Sequence, residues 1–224
     1  MSTVLVIGAS RGIGLEFARQ YSADGARVIA THRKPEDAAP LRALGAKPVA
    51  LDVTDAAAIA QLVASLQQER LDVVVLNAGI SGPRTAGIEA VSMADFDAVM
   101  HTNVWAPMQL IPALMPALVA ARGKLALISS RMGSMALMNG TRSWLYRASK
   151  AAANNVLRAA SLELGPRGVV CMAFHPGWVR TDMGGSGADI EVAASVAGMR
   201  RVIAAANDSH NGKFLNYTGE QFDW

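Results

Sequence analysis

Cysteine is almost absent: Cys171 is the only one in 224 residues, so no internal disulfide can form and a reducing compartment fits best. It sits in an apolar run, Val169 to Phe174, and reads as a buried core thiol. Aromatic residues make up only 5% of the chain. The cations behind the net charge of +3 are dispersed, without the basic clusters or aromatic interleaving of a nucleic-acid surface. A nucleic-acid partner is therefore not expected, and the charge implies only a weak attraction for phosphorylated ligands. No apolar stretch reads as long enough to span a bilayer, and a β-like run begins within three residues of Met1 without a leader pattern. The expectation is a cytoplasmic protein with no membrane partner. Metal ligands are lacking too: His101 has no second His, Cys or carboxylate at ligand spacing, and His175, beside Pro176, reads as a packed histidine.

What is present is apolar, at 51% of residues, enough for one sizeable core and most simply a single α/β domain over residues 1–224. Thr3 to Ile7 is a continuous apolar run, as in a strand covered on both faces, and it leads directly into Gly8-Ala9-Ser10-Arg11-Gly12-Ile13-Gly14 and a helix. Such a strand, turn and helix offers backbone N–H groups and a helix N-terminus to a pyrophosphate. The second strand, Arg27 to Thr31, ends in His32-Arg33-Lys34 with no acid. An acid there would bind a free ribose 2′-hydroxyl, whereas cations accommodate a 2′-phosphate, so NADP(H) is favoured over NAD(H), with Arg11 as a second source of positive charge. The other reading is that these are solvated loop cations.

Further strands are expected at Lys47 to Leu51, Leu71 to Leu76, Lys124 to Ser129, Val169 to Phe174 and near Phe214-Leu215. Helices are expected between them, one beginning at a capping-box-like Ser92-Met93-Ala94-Asp95 and the last around Ile190 to Ala205. Asp52, followed by Val53, is either a turn residue or an adenine contact, and Thr54 or Asp55 is the N-cap that follows. Asn77-Ala78-Gly79 would let a loop approach a cofactor closely. Pro107, Pro112 and Pro116 leave a long, kinked helix plausible. The alternation predicts a Rossmann fold, a doubly wound parallel sheet of about seven strands with helices on both faces.

Tyr146-Arg147-Ala148-Ser149-Lys150 places a Tyr and a Lys four apart in a helical run, on one face and about 6 Å apart along the axis. A neighbouring ammonium favours the ionised phenol and lowers its pKa from about 10, so that such a Tyr can exchange a proton near pH 7. Alone, the pair is equally a solvated helix pair. Ser130, at the carboxyl end of the fifth strand, should meet the Tyr146 helix at the same crevice.

Taken together these residues resemble the short-chain dehydrogenase/reductase family along essentially the whole chain. Gly8 to Gly14 is similar to its cofactor turn, with Ile7 where a Thr is usual, and Asn77-Ala78-Gly79 matches its Asn-Asn-Ala-Gly motif with Leu76 replacing the first Asn. Asn103, Ser130, Tyr146 and Lys150 fall on its catalytic tetrad, and Pro176-Gly177, Val179 and Thr181 on its segment near the nicotinamide carboxamide. The closing Gly212-Lys213-Phe214-Leu215-Asn216-Tyr217 and the segment around Tyr146 resemble the C-factor and sniffer-like carbonyl reductase branch.

The resemblance implies an oxidoreductase acting between nicotinamide and a carbonyl or alcohol. In it Tyr146 is the acid/base, Lys150 lowers the Tyr146 pKa and binds the nicotinamide ribose, Ser130 holds the carbonyl oxygen, and Asn103 holds a water leading to Lys150. Ser129 is the alternative to Ser130, whose Ser-x-x-Gly pattern with Gly133 favours it, and Asn103 is otherwise a helix-end polar group. Cofactor contacts are implied for Gly8, Ser10, Arg11, Gly12, Ile13 and Gly14, for His32, Arg33, Asp52 and Val53, and for the Asn77 and Pro176 segments. Residues 132–142 read as an insertion beside the substrate, and the short stretch from Asp182 to Ala188 as too brief for a helical lid. A more open crevice follows, lined by apolar residues such as Met132, Met138 and Trp178. A homodimer or homotetramer is implied through the helices after Ser92 and around Tyr146. The alternative function is a cofactor-binding signalling or regulatory protein with little turnover.

Overall fold

The computed structural model describes residues 1–224 throughout. Strand β1 (Thr3–Ile7) is apolar at every inner position because both its faces are covered. Leu5 and Ile7 join one core, and Val4 and Val6, alternating with them, join the other. The first core is closed by helices α3 (Ala56–Ser65), α5 (Ala106–Ala121) and α6 (Trp144–Leu164), the second by α1 (Gly12–Ala23), α2 (Ala38–Ala43) and α7 (Val192–Ala205). Phe17 and Phe174 are fully buried in the second core, Phe214 in the first, each stabilising the fold by roughly 1.5–3 kcal/mol.

The remaining strands are β2 (Arg27–His32), β3 (Lys47–Ala50), β4 (Val73–Leu76), β5 (Lys124–Ile128), β6 (Val170–His175), β7 (Lys213–Asn216) and β8 (Gln221–Phe222). They form one sheet in the order β3-β2-β1-β4-β5-β6-β7-β8. All neighbours are parallel except β7 and β8, which are antiparallel. The strand order reverses between β1 and β4, and a crevice opens where their carboxyl ends diverge. The expected count of about seven strands becomes eight because Gln221–Phe222, a two-residue strand, is too short to show alternation.

Asp55 caps α3, its carboxylate accepting the Ala57 N–H at 2.8 Å, while Thr54 instead donates to Asp52. Ser92 caps α4 (Met93–Met100), accepting from the Asp95 N–H at 3.0 Å and donating to the Asp95 carboxylate at 2.6 Å. A π-helical turn, His101–Trp105, joins α4 to α5.

The three run on as a helical stretch of 29 residues, Met93–Ala121, that contains an 18-residue window of mean hydropathy 1.5, long and apolar enough to cross a membrane. The expectation that the chain holds no such stretch is therefore corrected. Its cause lies in how the prolines are placed: Pro107 follows directly on the π-helical turn that joins the two helices, and Pro112 and Pro116 lie on the exposed side, leaving freed carbonyls to water. Leu110, Ile111, Leu114 and Leu118 face inward, so the stretch packs as a core helix of the sheet.

Candidate active site

Where β1 ends, the chain can turn only through glycine. Gly8 has φ +84°, and a Cβ there would stand 2.8 Å from the Ala78 backbone. Gly14 is packed so closely that its Cβ would lie 2.0 Å from the Gly8 carbonyl oxygen. The turn is fixed from three strands: the Gly8 N–H donates to Thr31 Oγ1 at 2.8 Å, the Asn77 amide donates to the Gly8 carbonyl at 2.7 Å, and the Ala78 N–H donates to the Ile7 carbonyl at 2.9 Å. Helix α1 starts at Gly12 with no side-chain cap and no acid in its first turn. Its first N–H groups, the positive end of the helix, are left free for an anion, so the cradle fits a dinucleotide pyrophosphate.

The cations at the end of β2 divide. Arg33 and Lys34 are exposed, but His32 is buried with Nδ1 2.8 Å from the Lys34 carbonyl. The His32 ring is turned to the Lys34 carbonyl, which two residues of turn bring within its reach, and Arg33 and Lys34 are the side chains left exposed there. Arg11 pairs with Asp182 at 2.9 Å, both side chains exposed, linking the glycine turn to the segment after β6. The Asp52 carboxylate accepts from the Thr54 hydroxyl and N–H, which with the Arg33 charge hold it below its usual value despite some desolvation. Val53 is buried in the core beneath it.

The four candidate catalytic residues come together at the ends of β4 and β5. Gly79 brings the loop after β4 so close that a Cβ would stand 3.2 Å from Asn103 Oδ1 and 3.4 Å from Lys150 Nζ. Asn103, buried in the π-helical turn, grips the Ile80 backbone in both directions: Oδ1 accepts the Ile80 N–H at 2.9 Å and Nδ2 donates to its carbonyl at 2.8 Å. Nδ2 also donates to Ser149 Oγ at 3.0 Å, tying this turn to α6. Asn103 thus makes three hydrogen bonds to protein from a buried position, more than a helix-end polar group needs.

Ser129 is held by Asn154, its hydroxyl donating at 2.5 Å inside the core. Ser130 begins a 3₁₀ turn, Arg131–Gly133, and its hydroxyl accepts the Met132 N–H at 3.1 Å. Gly133 explains the Ser-x-x-Gly spacing: a Cβ there would stand 2.7 Å from the Lys150 carbonyl carbon, so only glycine lets the turn rest on α6. Lys150 Nζ lies 5.7 Å from the centre of the Tyr146 ring and donates to the Ile128 carbonyl at 2.9 Å.

The electrostatics depart from the sequence expectation. Burial pushes the Tyr146 phenol up to about 12, with the neighbouring Ser130 hydroxyl opposing it. Burial also brings the Lys150 ammonium down to about 8. In the closed helix face both groups are desolvated, and that cost exceeds the stabilisation an ammonium gives a phenolate. His175 is pushed down to about 4 by burial and by the Arg131 charge, and is neutral near pH 7. No group of three or more His, Cys, Asp or Glu side chains gathers about a point.

Beyond β6, Gly177 takes φ +85° and Ser195 Oγ donates to the Pro176 carbonyl at 2.6 Å. Val179 is buried, and Thr181 stands 3.2 Å from where a Gly12 Cβ would be, bringing this segment against the glycine turn. Residues 182–188 form no helix and fold as tight turns, with Trp178 Nε1 donating to the Gly184 carbonyl at 2.9 Å and Arg84 donating to the Met183 carbonyl at 2.6 Å. Met138, Trp178 and Met183 are exposed, at 52%, 53% and 42%, while Met132 and Leu137 are half-buried. The sequence reading missed Thr31, Ile80, Ser149 and Asn154, all of which act on site residues. Only Thr31, the last residue of its expected strand, had a position that could have signalled a role.

A doubly wound sheet with a glycine cradle at its switch point, and a Tyr and Lys one helical turn apart beside it, defines the class of dinucleotide-fold oxidoreductases. Comparison gives the family. The short chain dehydrogenase profile matches residues 2–191, and the chain belongs to the short-chain dehydrogenase/reductase family. It is 40% identical to the C-signal protein of Myxococcus xanthus over 155 residues, 69% of this chain and 93% of that one. The NADPH-bound carbonyl reductase from chicken fatty liver superposes with a TM-score of 0.89 at 34% identity, covering 100% of this chain and 99% of its own. The carbonyl reductase Sniffer of D. melanogaster superposes with a TM-score of 0.92 at 29% identity over the whole of both chains.

Proposed function

We propose that the protein is an NADPH-dependent carbonyl reductase with Tyr146 as its acid/base. The observation that carries this reading is the Tyr146 phenol, half-buried, with the Lys150 ammonium 5.7 Å from its ring centre and that ammonium in turn close to Gly79 in the loop beside the glycine cradle. NADPH, when bound, supplies the hydride that reduces the carbonyl carbon. The chain supplies the rest. Ser130 donates a hydrogen bond to the carbonyl oxygen, so that charge growing there meets a donor already in place. Tyr146 gives that oxygen its phenolic proton. With a pKa raised to about 12 it is held neutral, and it remains a far stronger acid than the alcohol formed. Lys150, still largely protonated at pH 7 with a pKa of about 8, stabilises the phenolate left behind and hydrogen-bonds the cofactor ribose. Asn103 holds the loop after β4 against Lys150 through Ile80.

Preference for NADPH is supported by exposed Arg33 and Lys34 at the end of β2, by the lack of an acid there, and by the NADPH bound to the chicken relative. The exposed apolar rim of Met138, Trp178 and Met183 suits aldehydes or ketones of varied shape. The 40% identity to C-signal favours one second reading, a regulatory protein that binds cofactor with little turnover.

Titration with NADPH and NADH, followed by a carbonyl panel read by loss of reduced-nicotinamide absorbance, separates the two. Tighter NADPH binding, with turnover lowered about 10²–10⁴-fold in Tyr146→Phe while cofactor affinity is kept, is the expected result. Binding without turnover on any carbonyl would favour the regulatory reading. We also propose a homo-oligomer formed through the helices after Ser92 and around Tyr146, supported by the exposed Met93, Phe96, Met108 and Leu162 on α4, α5 and α6.

A further inference from the structure

The loop after Ser130 is fastened from an unexpected direction. Ser134 is buried at 2% exposure, and its hydroxyl stands between two backbone groups, accepting the Leu137 N–H at 3.0 Å and donating to the Asp223 carbonyl at 2.6 Å. The Ala136 N–H donates to the Trp224 carbonyl at 3.0 Å. Residues 222–224 are in turn fixed to the sheet by their rings. Trp224 stacks on Phe214 of β7 at 5.4 Å, and Phe222 meets Phe214 edge-on at 5.5 Å and His175 at 5.9 Å. Phe214 is fully buried and cannot yield. At its other end the same loop is tied by the Ser143 N–H, which donates to the Thr85 carbonyl at 3.0 Å, and at its start Gly133 rests on Lys150. Met132, Leu137 and Met138, which the sequence places in the segment expected beside the substrate, lie between these ties.

We propose that Trp224 and Ser134 are positioning residues: the segment 221–224 acts as a strut that holds residues 134–138 and sets the substrate side of the site, resting on the carbonyl-reductase reading above. The two carbonyls it offers, those of Asp223 and Trp224, satisfy groups that a loop without regular structure would otherwise leave to water. A loop so held presents its apolar side chains without an ordering cost at each binding event.

The test uses the full chain and the variants Trp224→Ala, Trp224→Phe and Ser134→Ala, with hydrogen exchange followed by mass spectrometry, NADPH binding and carbonyl kinetics. Faster exchange confined to residues 134–142 is expected in Trp224→Ala and Ser134→Ala. KM for the carbonyl should rise about tenfold, the scale of one lost hydrogen bond or ring contact, with kcat less affected and NADPH affinity unchanged. Trp224→Phe, which keeps a ring on Phe214, should restore both readouts. Unchanged exchange at 134–142, or faster exchange with unchanged KM, would overturn the proposal. Parallel loss of NADPH affinity and of protection across the sheet would also overturn it, by making the segment a general support of the fold. If the wild-type protein reduces no carbonyl, the functional reading fails separately, and local exchange in the NADPH-bound protein still decides whether 221–224 holds the loop.

Discussion

His175 and Tyr146 show how burial outweighs chemistry in deciding what a single side chain does. Nδ1 of His175 is buried without a hydrogen-bond partner, and Arg131 lies close enough to disfavour a second positive charge. Its pKa is about 4 in the folded protein against an ordinary 6.5. Between those values the unfolded chain binds more protons, so this residue makes stability rise as pH increases from about 4 to 6.5 and contributes nothing further above that. The full difference is on the order of 3 kcal/mol. His175→Asn is therefore expected to flatten the gain in Tm between pH 4 and pH 6.5 relative to wild type, as measured by calorimetry at each pH. An equal gain in both proteins would assign the titration to carboxylates instead. For Tyr146 the spacing to Lys150 was legible in the chain, but the sign of the pKa shift was not, because desolvation depends on what covers the helix face.

At the scale of elements, the turn Arg131–Gly133 couples Ser130 to α6 through the missing side chain of Gly133. Gly133→Ala forces a methyl to within 2.7 Å of the Lys150 backbone, so either the turn lifts away or the helix shifts. Overpacking of this kind costs about 1–3 kcal/mol. Ser130 moves with the turn, so turnover should fall at least about tenfold, with a smaller loss of NADPH affinity through the displaced Lys150, because the glycine cradle itself is untouched. Steady-state kinetics beside a cofactor titration checks the split, and a parallel loss of both would place the damage in the whole fold. The same element bears on the choice between Ser129 and Ser130. The pattern Ser-x-x-Gly pointed to Ser130, and the structure shows what occupies its neighbour, a hydrogen bond to Asn154. Asn154 is 25 residues away, beyond any local signal.

For the whole molecule, the long helical stretch Met93–Ala121 presents two different faces. Leu110, Ile111, Leu114 and Leu118 fill the core, while Met93, Phe96 and Met108 remain exposed at 72%, 45% and 53%. Apolar surface marks an interaction site where it is contiguous, and the proposed oligomer is one that would cover these side chains. With an oligomer built through this surface, Phe96→Glu should shift the species seen by light scattering after gel filtration to a lower mass, with little change in Tm per protomer. A wild-type protein that elutes as a monomer at every concentration would remove the proposal.

The sequence by itself determined the sheet and its cradle, because those signals are local: an apolar run covered on both faces, glycines where only glycine can turn, and caps such as Ser92 and Asp55 two or three residues from their partners. It also placed Asn103, Ser130, Tyr146 and Lys150 in order along the chain. Only the tertiary structure decided what surrounds them. It turned the His32 ring to the Lys34 carbonyl, engaged Arg11 with Asp182, closed Asn103 on Ile80 and laid Trp224 under the loop that follows Ser130. The physical reason is the same in each case. A hydrogen bond or an ion pair chooses its partner by distance in space, and desolvation by the atoms packed around a group, and neither quantity is carried by neighbours in the chain.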